Sequence, residues 1–355
     1  MIEASSYYSY YTNFTLFIGV AFIIYTFIKS NLKSKDYLML PYVLGVVSFC
    51  VITFFLAIRP ISYQFGDMGN YNNAINEYLY TDKIKEDSDI LFEYLMFFFA
   101  KNFSSESFFF LCTLLYFIPL YLSYKKIFKN FWTVAFILSL LTFSFYGFAV
   151  NGIRNGIAAH IFLLGLALPK RYGWMLIVLS TGFHSSMWIP AIGYVSSYIF
   201  KTIRWYYYLW LTCLFISFVY SGFSDIVQTL GIGGDKFGSY VEDGFEHESS
   251  FAITGYRYDF VIFSIFPVIF SAYYIYKRKF NNGLYNTFVS TYLFANSIFL
   301  LVNEIAFSNR FAYLSWFMIV PIILYPIYKL RTRKDTHMLL ASSIFLIATY
   351  IVVSS

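Results

Sequence analysis

The feature that most constrains this chain is a regular alternation between long apolar stretches and short clusters of basic residues. Seventeen of its 25 Lys and Arg residues fall in six clusters, and a hydrophobic stretch lies on either side of each cluster. Seventeen of the 19 Asp and Glu residues lie outside these clusters. The clusters are Lys29/Lys33/Lys35, Lys125/Lys126/Lys129, Lys170/Arg171, Lys201/Arg204, Lys277/Arg278/Lys279 and Lys329/Arg331/Arg333/Lys334. Such alternation is typical of a multi-spanning membrane protein whose basic loops face the cytoplasm.

The composition excludes an ordinary soluble domain. Hydrophobic residues make up 59% of the chain and charged residues only 12%, about half the charged fraction of a soluble domain. Apolar runs of about 18 to 20 residues recur, each long enough to cross a bilayer as a helix, and the alternating pattern of barrel strands is absent. We therefore predict an all-α, polytopic membrane protein that forms a single integral membrane domain over residues 1–355. The net charge of +6 lies in loops beside the predicted spans, so no nucleic-acid partner is indicated.

About twelve transmembrane segments are predicted, with the N- and C-termini both outside. The hairpin near 171–200 has short arms, because only 29 residues separate the basic pairs Lys170/Arg171 and Lys201/Arg204. Its turn at His184 is therefore expected to lie at membrane depth, where irregular backbone needs protein or a wet cavity around it. The predicted spans are 11–29, 37–58, 105–124, 132–150, 152–169, 171–182, 185–200, 204–222, 257–276, 284–302, 310–329 and 337–354.

Two long segments are predicted to lie outside the membrane. The first, 59–104, contains the stretch 90–101, which is too short to cross and is expected to form an interfacial amphipathic helix. The second, 223–256, is rich in glycine and acidic residues. It is interpreted either as a lid over an outer cavity or as a solvated loop.

Four arginines at the outer ends of predicted spans depart from the charge pattern. They are Arg59, Arg154, Arg257 and Arg310. The planar fork of a guanidinium matches phosphate oxygens bidentately, so several such residues around one outer cavity would form a phosphate or pyrophosphate site. The alternative is snorkelling or local pairing, for example of Arg257 with Asp259 or of Arg310 with Glu304.

Arg154 is the leading candidate for an anion ligand, because it begins a predicted span within the segment 151–159. The unpaired N–H groups at a helix start favour an anion, and they add to the arginine charge. Gly152, Gly156 and Ala159 form a small-residue face on which a neighbouring helix can pack closely.

His184 and Asp67 are the candidate catalytic residues beside Arg154. An ionisable residue at membrane depth is a functional candidate, and an imidazole suits proton abstraction from a hydroxyl; the alternative is a structural, hydrogen-bonded histidine. Asp67 follows Gly66 just beyond the second span, where a carboxylate can bind sugar hydroxyls or act as the base. No second acid lies beside it at ligand spacing, so no metal site is predicted. His160, in mid-span, is expected to be structural.

Three motifs, in order, resemble a known family. They are Gly66-Asp67 followed by Asn70-Tyr71, then Arg154-Asn155-Gly156-Ile157-Ala158, similar to the family's Arg-Gln-Gly-Ile-Ala, and about 30 residues later Phe183-His184-Ser185-Ser186, similar to its His-Lys-Ser. In this order and spacing, residues 60–190 resemble the EpsG-type branch of the Wzy polysaccharide polymerases, the enzymes of O-antigen and exopolysaccharide assembly. The C-terminal third carries no matching motif.

The resemblance implies a membrane glycosyltransferase of the bacterial inner membrane that needs no cofactor, metal or nucleotide, with its active site facing outside. Its partners would be a glycan donor and acceptor linked to undecaprenyl pyrophosphate, membrane lipid and, as a further partner to consider, a chain-length regulator. Arg154, with Arg257 and Arg310, is then expected to hold the donor pyrophosphate, and His184 or Asp67 to activate or position the acceptor hydroxyl. The other substrate-binding candidates are Arg59, Asn70, Tyr71 and Asn155.

Two other functions stay open. A flippase for lipid-linked oligosaccharides also needs a cationic cavity open to lipid, but its charges should line both halves of the bilayer, whereas here they cluster outside. A membrane O-acyltransferase can also use a buried histidine with arginines. It should draw its acyl donor from the cytoplasmic side, where the sequence has no intramembrane His or acid.

Overall fold

The chain folds into helices throughout the part that the structure, a computed structural model, describes: residues 2–31, 39–85, 89–219, 255–305 and 308–354. Within these ranges no β-strand occurs, which confirms the all-α prediction there. The chain divides into two compact units, one formed by residues 1–185 with 323–355 and the other by residues 186–322. The predicted lid, 223–256, lies almost entirely outside the described residues.

The first unit is built from α1 to α9, the end of α15 and α16. Short 3-10 turns lie at Tyr63–Phe65 and Lys129–Phe131. The helices are α1 (Ala4–Asn31), α2 (Met39–Ala57), α3 (Asp67–Tyr78), α4 (Ile90–Asn102), α5 (Ser105–Phe128), α6 (Trp132–Leu140), α7 (Ser144–Val150), α8 (Ile153–Ala167), α9 (Lys170–Phe183), α15 (Ile319–Leu330) and α16 (Arg333–Ser354).

The second unit holds the helices from α10 to α14 and the start of α15. A 3-10 turn, Ser185–Met187, precedes the first of them, and a π-helical turn, Tyr273–Lys277, continues α12. The helices are α10 (Trp188–Ile199), α11 (Arg204–Val219), α12 (Tyr258–Ala272), α13 (Gly283–Leu301) and α14 (Ser308–Trp316).

Six helical runs in the described part are long and apolar enough to cross a membrane. They are Ala4–Lys29, Met39–Ala57, Ser105–Leu140, Tyr258–Lys277, Ser308–Leu330 and Arg333–Val353, and Ile153–Ala167 is a shorter apolar helix. The chain is therefore a multi-pass membrane protein by its helices. Every predicted span overlaps helix, but the count of about twelve and the position of both termini outside stay predictions.

Two predicted spans are each broken into two helices. The span 132–150 is interrupted between α6 and α7, where the Thr142 hydroxyl and backbone N–H both bind the carbonyl of Ser139, at 2.6 and 3.0 Å. A side chain that binds the carbonyl three residues earlier competes with the regular helical ladder. The span 310–329 is interrupted between α14 and α15, where Met318 N–H binds the carbonyl of Ser315 at 3.0 Å instead of continuing the i→i+4 pattern.

The helices α8 and α9 form an antiparallel hairpin whose backbones touch. A Cβ added at Gly165 would come within 2.8 Å of the carbonyl oxygen of Gly173, and a Cβ at Gly173 would meet the carbonyl of Gly165. Small residues at facing positions allow this close approach. The hairpin arms have 15 and 14 residues, so Arg154 at the start of α8 and His184 at the end of α9 lie at the same end.

A buried polar network ties four helices of the second unit together. The Asn296 side-chain amide on α13 donates to Oγ of Ser264 at 3.1 Å and of Ser315 at 3.0 Å, and its Oδ1 accepts from the Trp210 indole at 2.8 Å. The indole of Trp316 also donates to Ser264, at 2.8 Å. Polar side chains that hydrogen-bond across helices in this way fix which helix faces meet.

Candidate functional site

A fully buried carboxylate, that of Asp89, joins three groups that lie far apart in the sequence. Its Oδ2 atom lies 2.9 Å from Nη1 of Arg154 and 3.2 Å from Nδ1 of His184. Its Oδ1 atom accepts a hydrogen bond of 2.8 Å from the backbone N–H of Ser185. A buried carboxylate is costly unless it is paired with a cation and hydrogen-bonded, and Asp89 has partners of both kinds. We call Asp89, Arg154 and His184 the Asp89 cluster.

Aromatic side chains fix the direction of the Arg154 guanidinium. Its Nε donates to Oη of Tyr71 at 3.0 Å. The guanidinium carbon lies 5.3 Å from the ring centroid of Tyr71 and 5.9 Å from that of Phe92, and the two rings meet edge to face. Arg154 and His184 keep 19% and 17% of their side-chain surface exposed, whereas Asp89 has none. The two functional groups are therefore reachable, and the carboxylate that links them is not.

Three helix ends bring the Asp89 cluster together. Asp89 immediately precedes α4, Arg154 is the second residue of α8, and His184 follows the last residue of α9. The α8–α9 hairpin places two of these ends side by side. The start of α4 joins them because Leu91 packs directly on Gly182, where a Cβ would come within 2.6 Å of the leucine side chain.

The Gly66-Asp67 motif lies beside the segment that leads into α8. The backbone N–H of Asp67 donates to Oδ1 of Asn151 at 3.0 Å. Gly66 has a φ of 61°, and a Cβ there would collide with the Asn151 side chain, so this position requires glycine. Asp67 and Tyr71 are four residues apart on α3 and share a face. The first two predicted motifs are thus neighbours, because Tyr71 contacts Arg154.

A hydrogen bond between side chains joins α3 to α4. The Tyr78 hydroxyl donates to Oε2 of Glu93 at 2.7 Å and accepts from the backbone N–H of Lys85 at 3.1 Å. Burial, and then the hydrogen bond to Glu93, raise the pKa of Tyr78 to about 12. The tyrosine is therefore a neutral donor at physiological pH, and it braces the helix pair that carries Tyr71 and Asp89.

Arg59 is buried among different residues, just beyond the end of α2. Its Nη1 donates to the carbonyl of Leu56 at 2.6 Å and to Oγ1 of Thr113 at 2.9 Å. Within the described residues its Nε and Nη2 atoms have no hydrogen-bond partner. Burial lowers the pKa of Arg59 to about 10, so the group is still charged at neutral pH. Arg59 contacts Phe65, with its guanidinium carbon 6.0 Å from the ring centroid, and does not belong to the Asp89 cluster.

The other two arginines belong to the second unit. Arg257 donates from Nε and Nη2 to the two carboxylate oxygens of Asp259, at 3.0 and 2.6 Å, and stacks 3.6 Å over the ring of Phe260. This is the local pairing that the sequence offered as the alternative to phosphate binding. Arg310 is the third residue of α14 and is half-buried.

The remaining predicted residues differ in exposure. Asn70 is exposed on α3, and Asn155 is buried on α8, directly after Arg154. His160 is buried with its Nδ1 2.7 Å from the carbonyl oxygen of Tyr116, in agreement with the structural role expected for it. Among the described residues no group of three or more His, Cys, Asp or Glu side chains is placed to hold a metal ion.

Asp89 is the functional candidate that the sequence analysis missed. In the sequence it ends an acidic stretch with Asp82, Glu86 and Asp87, and its position before the 90–101 helix also suits an ordinary helix cap. The structure places it at that cap position, yet its side chain makes no cap hydrogen bond to α4 and binds the Asp89 cluster instead. The sequence signal that could have identified Asp89 is an acid at a helix-cap position followed by an apolar helix.

A family model described as the EpsG family matches residues 46–355, a range that includes Asp67, Asp89, Arg154 and His184. No curated protein and no solved structure matches the chain.

Proposed function

The chain belongs to the EpsG family, which indicates a membrane polysaccharide polymerase, and we propose that it extends a glycan carried on a lipid pyrophosphate. In this proposal the growing glycan leaves its undecaprenyl-pyrophosphate carrier and is joined to a sugar hydroxyl of a new lipid-linked repeat unit. The observation that carries the proposal is the Asp89 carboxylate bound at once to Arg154 and His184. A cation for a phosphate leaving group and a base for a hydroxyl are the two groups that this transfer needs.

His184 is the proposed base. A carboxylate has no proton to donate, so the contact of 3.2 Å requires Nδ1 of His184 to carry the hydrogen that Asp89 accepts. Nε2 then holds a lone pair and accepts the proton of the acceptor hydroxyl. The hydrogen bond also fixes the plane of the ring, which keeps the lone pair in one direction.

Arg154 is the proposed pyrophosphate ligand. Its fork suits bidentate contact with phosphate oxygens, and Tyr71 and Asp89 hold it in one orientation before substrate arrives. The start of α8 adds its N–H groups to this cation. Such preorganised donors stabilise charge as it develops on a leaving group, without reorganisation at the moment of reaction.

In the proposed reaction the net charge of the Asp89 cluster becomes more positive as the pyrophosphate leaves. With His184 neutral, the charges of Asp89, Arg154 and His184 add up to zero. When the acceptor oxygen attacks the anomeric carbon, the bond from that carbon to the pyrophosphate oxygen breaks, and the leaving group keeps the electron pair. The hydroxyl proton passes to His184, which gives the cluster a positive charge beside the newly released pyrophosphate.

Asp67 and Asn70 are proposed to bind sugar hydroxyls. Asp67 lies one helical turn before Tyr71 on the same face of α3, and Asn70 is exposed next to it. A carboxylate and an amide offer the donors and acceptors that pyranose hydroxyls use. Asn155 follows Arg154 as a second candidate on α8. Arg59, Arg257 and Arg310 do not enter the proposed step.

The Asp89 cluster is proposed to face the outside of the bacterial inner membrane. Arg154 lies at the start of α8, and Lys170 and Arg171 lie at the start of α9, at the opposite end of the same hairpin. Basic residues gather on the cytoplasmic side of membrane proteins, so the opposite end points outwards. A chain-length regulator, where one binds, would meet this outer side.

The test uses the purified full chain with a synthetic undecaprenyl-pyrophosphate oligosaccharide and no nucleotide. A ladder of longer glycans supports the proposal, and intact substrate moved between leaflets would identify a flippase instead. Transfer of acyl groups to sugar in place of glycan would identify an acyltransferase. Arg154→Ala and His184→Asn should each reduce extension by at least about 100-fold, the lower range for losing an acid–base or oxyanion group.

Matched controls separate the cluster from general effects on the protein. Arg171→Ala removes an exposed arginine and His337→Ala an exposed histidine elsewhere on the chain. Both should keep wild-type extension. Wild-type product lengths from Arg154→Ala or His184→Asn would remove that residue from the mechanism.

A further inference from the structure

A cavity lies at the basic end of the first unit, far from the Asp89 cluster. It has a volume of about 350 Å³ and opens between the end of α1, the start of α2, the start of α6 and the connection from α15 to α16. This volume is within the range of small-molecule sites, about 300–1,000 Å³. Lys29, on its wall, is 22 residues after Tyr7 on α1, or about 33 Å along that helix. Tyr7 packs against Phe65 at the other end.

The wall of this cavity carries both apolar and charged side chains. The apolar side chains are Phe22, Pro41, Val134, Ile327 and Leu339. Lys29, which is half-buried, and Arg331, which is exposed, supply two positive charges at the rim, and the fully buried Asp335 supplies one negative charge. Asp335 Oδ2 accepts from the backbone N–H and the hydroxyl of Thr332, at 2.7 and 2.6 Å, and so caps the start of α16. The described residues of the wall therefore carry a net charge of +1.

Arg331 is held over the rim in an unusual backbone conformation. Its φ of 52° lies in the left-handed region, which costs free energy for a residue other than glycine. Its Nε donates to the carbonyl of Tyr328 at 2.9 Å, and its guanidinium carbon lies 4.8 Å from the Tyr328 ring and 5.7 Å from the Phe131 ring. Within the described residues, Nη1 and Nη2 of Arg331 meet no protein acceptor. A guanidinium that is held at Nε, with Nη1 and Nη2 available to a ligand, suits bidentate contact with two phosphate oxygens.

We infer that this cavity binds one monoanionic phospholipid of the cytoplasmic leaflet, with phosphatidylglycerol as the representative lipid. The phosphodiester would contact Arg331 and Lys29, and its single negative charge matches the net +1 of the described residues of the wall. Part of one acyl chain would contact the apolar side chains of the wall. The cavity is lined by helices that are long and apolar enough to cross a membrane, and its basic rim is at the level where anionic headgroups bind between such helices.

This inference does not depend on the proposed transfer reaction, because it concerns the opposite end of the unit. A lipid bound to the folded chain and not to the unfolded one raises stability by mass action. It would hold the ends of α1, α2, α6 and α16 together around one headgroup. The expected role is therefore to stabilise the fold in an anionic membrane.

The test measures lipid binding directly and through stability. The purified full chain is placed in nanodiscs of phosphatidylcholine alone or with phosphatidylglycerol, and its melting temperature and its retained lipid by native mass spectrometry are recorded. Phosphatidylglycerol should raise the melting temperature of the wild type, which should retain one such lipid per chain. Arg331→Gln should lose most of both effects. Inorganic phosphate added to the phosphatidylcholine sample should give no gain, and an equal gain would mean that a free anion, not the lipid, is the ligand.

Two variants make the outcome decisive. Arg333→Gln removes the same charge two residues away, from an exposed side chain that does not line the cavity, and should behave as the wild type. Arg331→Gly removes the guanidinium and also relieves the left-handed conformation, so it should fold at least as well as the wild type and still lose the lipid effect. Equal phosphatidylglycerol effects in the wild type and Arg331→Gly, or none in the wild type, would overturn the inference.

Discussion

Gly182 lies so close to Leu91 that a Cβ added at residue 182 would come within 2.6 Å of the leucine Cδ1 atom. This contact lies two residues before His184 on one helix and two residues after Asp89 at the start of another. The absence of a side chain at Gly182 therefore sets how near the Asp89 carboxylate comes to the imidazole. The geometry of the Asp89 cluster depends on helix packing as much as on its own hydrogen bonds.

Replacing Gly182 with Val should push α4 away from α9 and reduce glycan extension by at least about tenfold, because small misplacements of catalytic groups are costly. The double variant Gly182→Val with Leu91→Ala reopens the space and should recover part of the lost rate. Gly147→Ala is the control, since no atom lies within 4 Å of a Cβ there. Extension rates of the wild type and the three variants test this, and Gly182→Val as active as the wild type would contradict it.

Asp89→Asn should keep the size of the side chain while it removes the charge that binds Arg154 and His184. Extension is expected to fall by at least about 100-fold, and the melting temperature should fall as well, because Arg154 loses its buried counter-ion. Asp82→Asn breaks an exposed pair with Lys101 and serves as the control. If Asp89→Asn were no slower than Asp82→Asn, the Asp89 cluster would have no part in the reaction.

The sequence predicted the helical class, a helix over the stretch 90–101, and two of the three residues of the Asp89 cluster. Arg154 and His184 were identified because each departs from a regular pattern, one in charge and the other in position along a short hairpin. Asp89 departs from no pattern, since an acid before an apolar helix in an acidic stretch is common. Its contact with His184 spans 95 positions in the chain, and a contact of this kind leaves no periodic signal.

The same limit applies to the arginines. All four were selected because they lie at the predicted outer ends of spans. In the structure, however, Arg257 pairs with Asp259 two residues away, and Arg59 is buried against Thr113. Charge position along a chain predicts which end of a helix a residue occupies. It does not predict which neighbour the side chain meets, because that depends on how the helix is rotated against others. The helix breaks within 132–150 and 310–329 could not be predicted from hydropathy, because the residues on both sides of each break are apolar.

Tyr78→Phe should lower stability in a way that depends on pH. The tyrosine pKa is raised to about 12 in the folded chain, by burial and then by Glu93, against about 10 in an unfolded chain. The stabilisation from its neutral form is therefore fully present below pH 10 and is lost as the pH rises towards 12. Chemical unfolding at several pH values should give a wild-type advantage that shrinks over this window. Tyr80 is 91% exposed, so Tyr80→Phe should have the same stability as the wild type at every pH in this window.

Arg59→Met should leave the melting temperature unchanged or raise it, because Arg59 is a buried cation that lacks a carboxylate partner in the described part of the chain and has two unpaired nitrogens. Replacing buried charges by apolar residues is often neutral or stabilising by about 1–4 kcal/mol. The Thr113 hydroxyl would not be orphaned, since it also donates to the carbonyl of Phe109 at 3.0 Å.

Thr113→Val is the matched comparison for Arg59→Met. It keeps the buried cation and removes one of its two hydrogen-bond partners, which should lower the free energy of unfolding by about 1.5–3 kcal/mol, the range for hydrogen bonds to charged groups. Melting temperatures of the three proteins in one detergent test the pair. A loss of stability in Arg59→Met as large as that in Thr113→Val would mean that the arginine stabilises the end of α2, and that its charge is compensated by groups beyond Leu56 and Thr113.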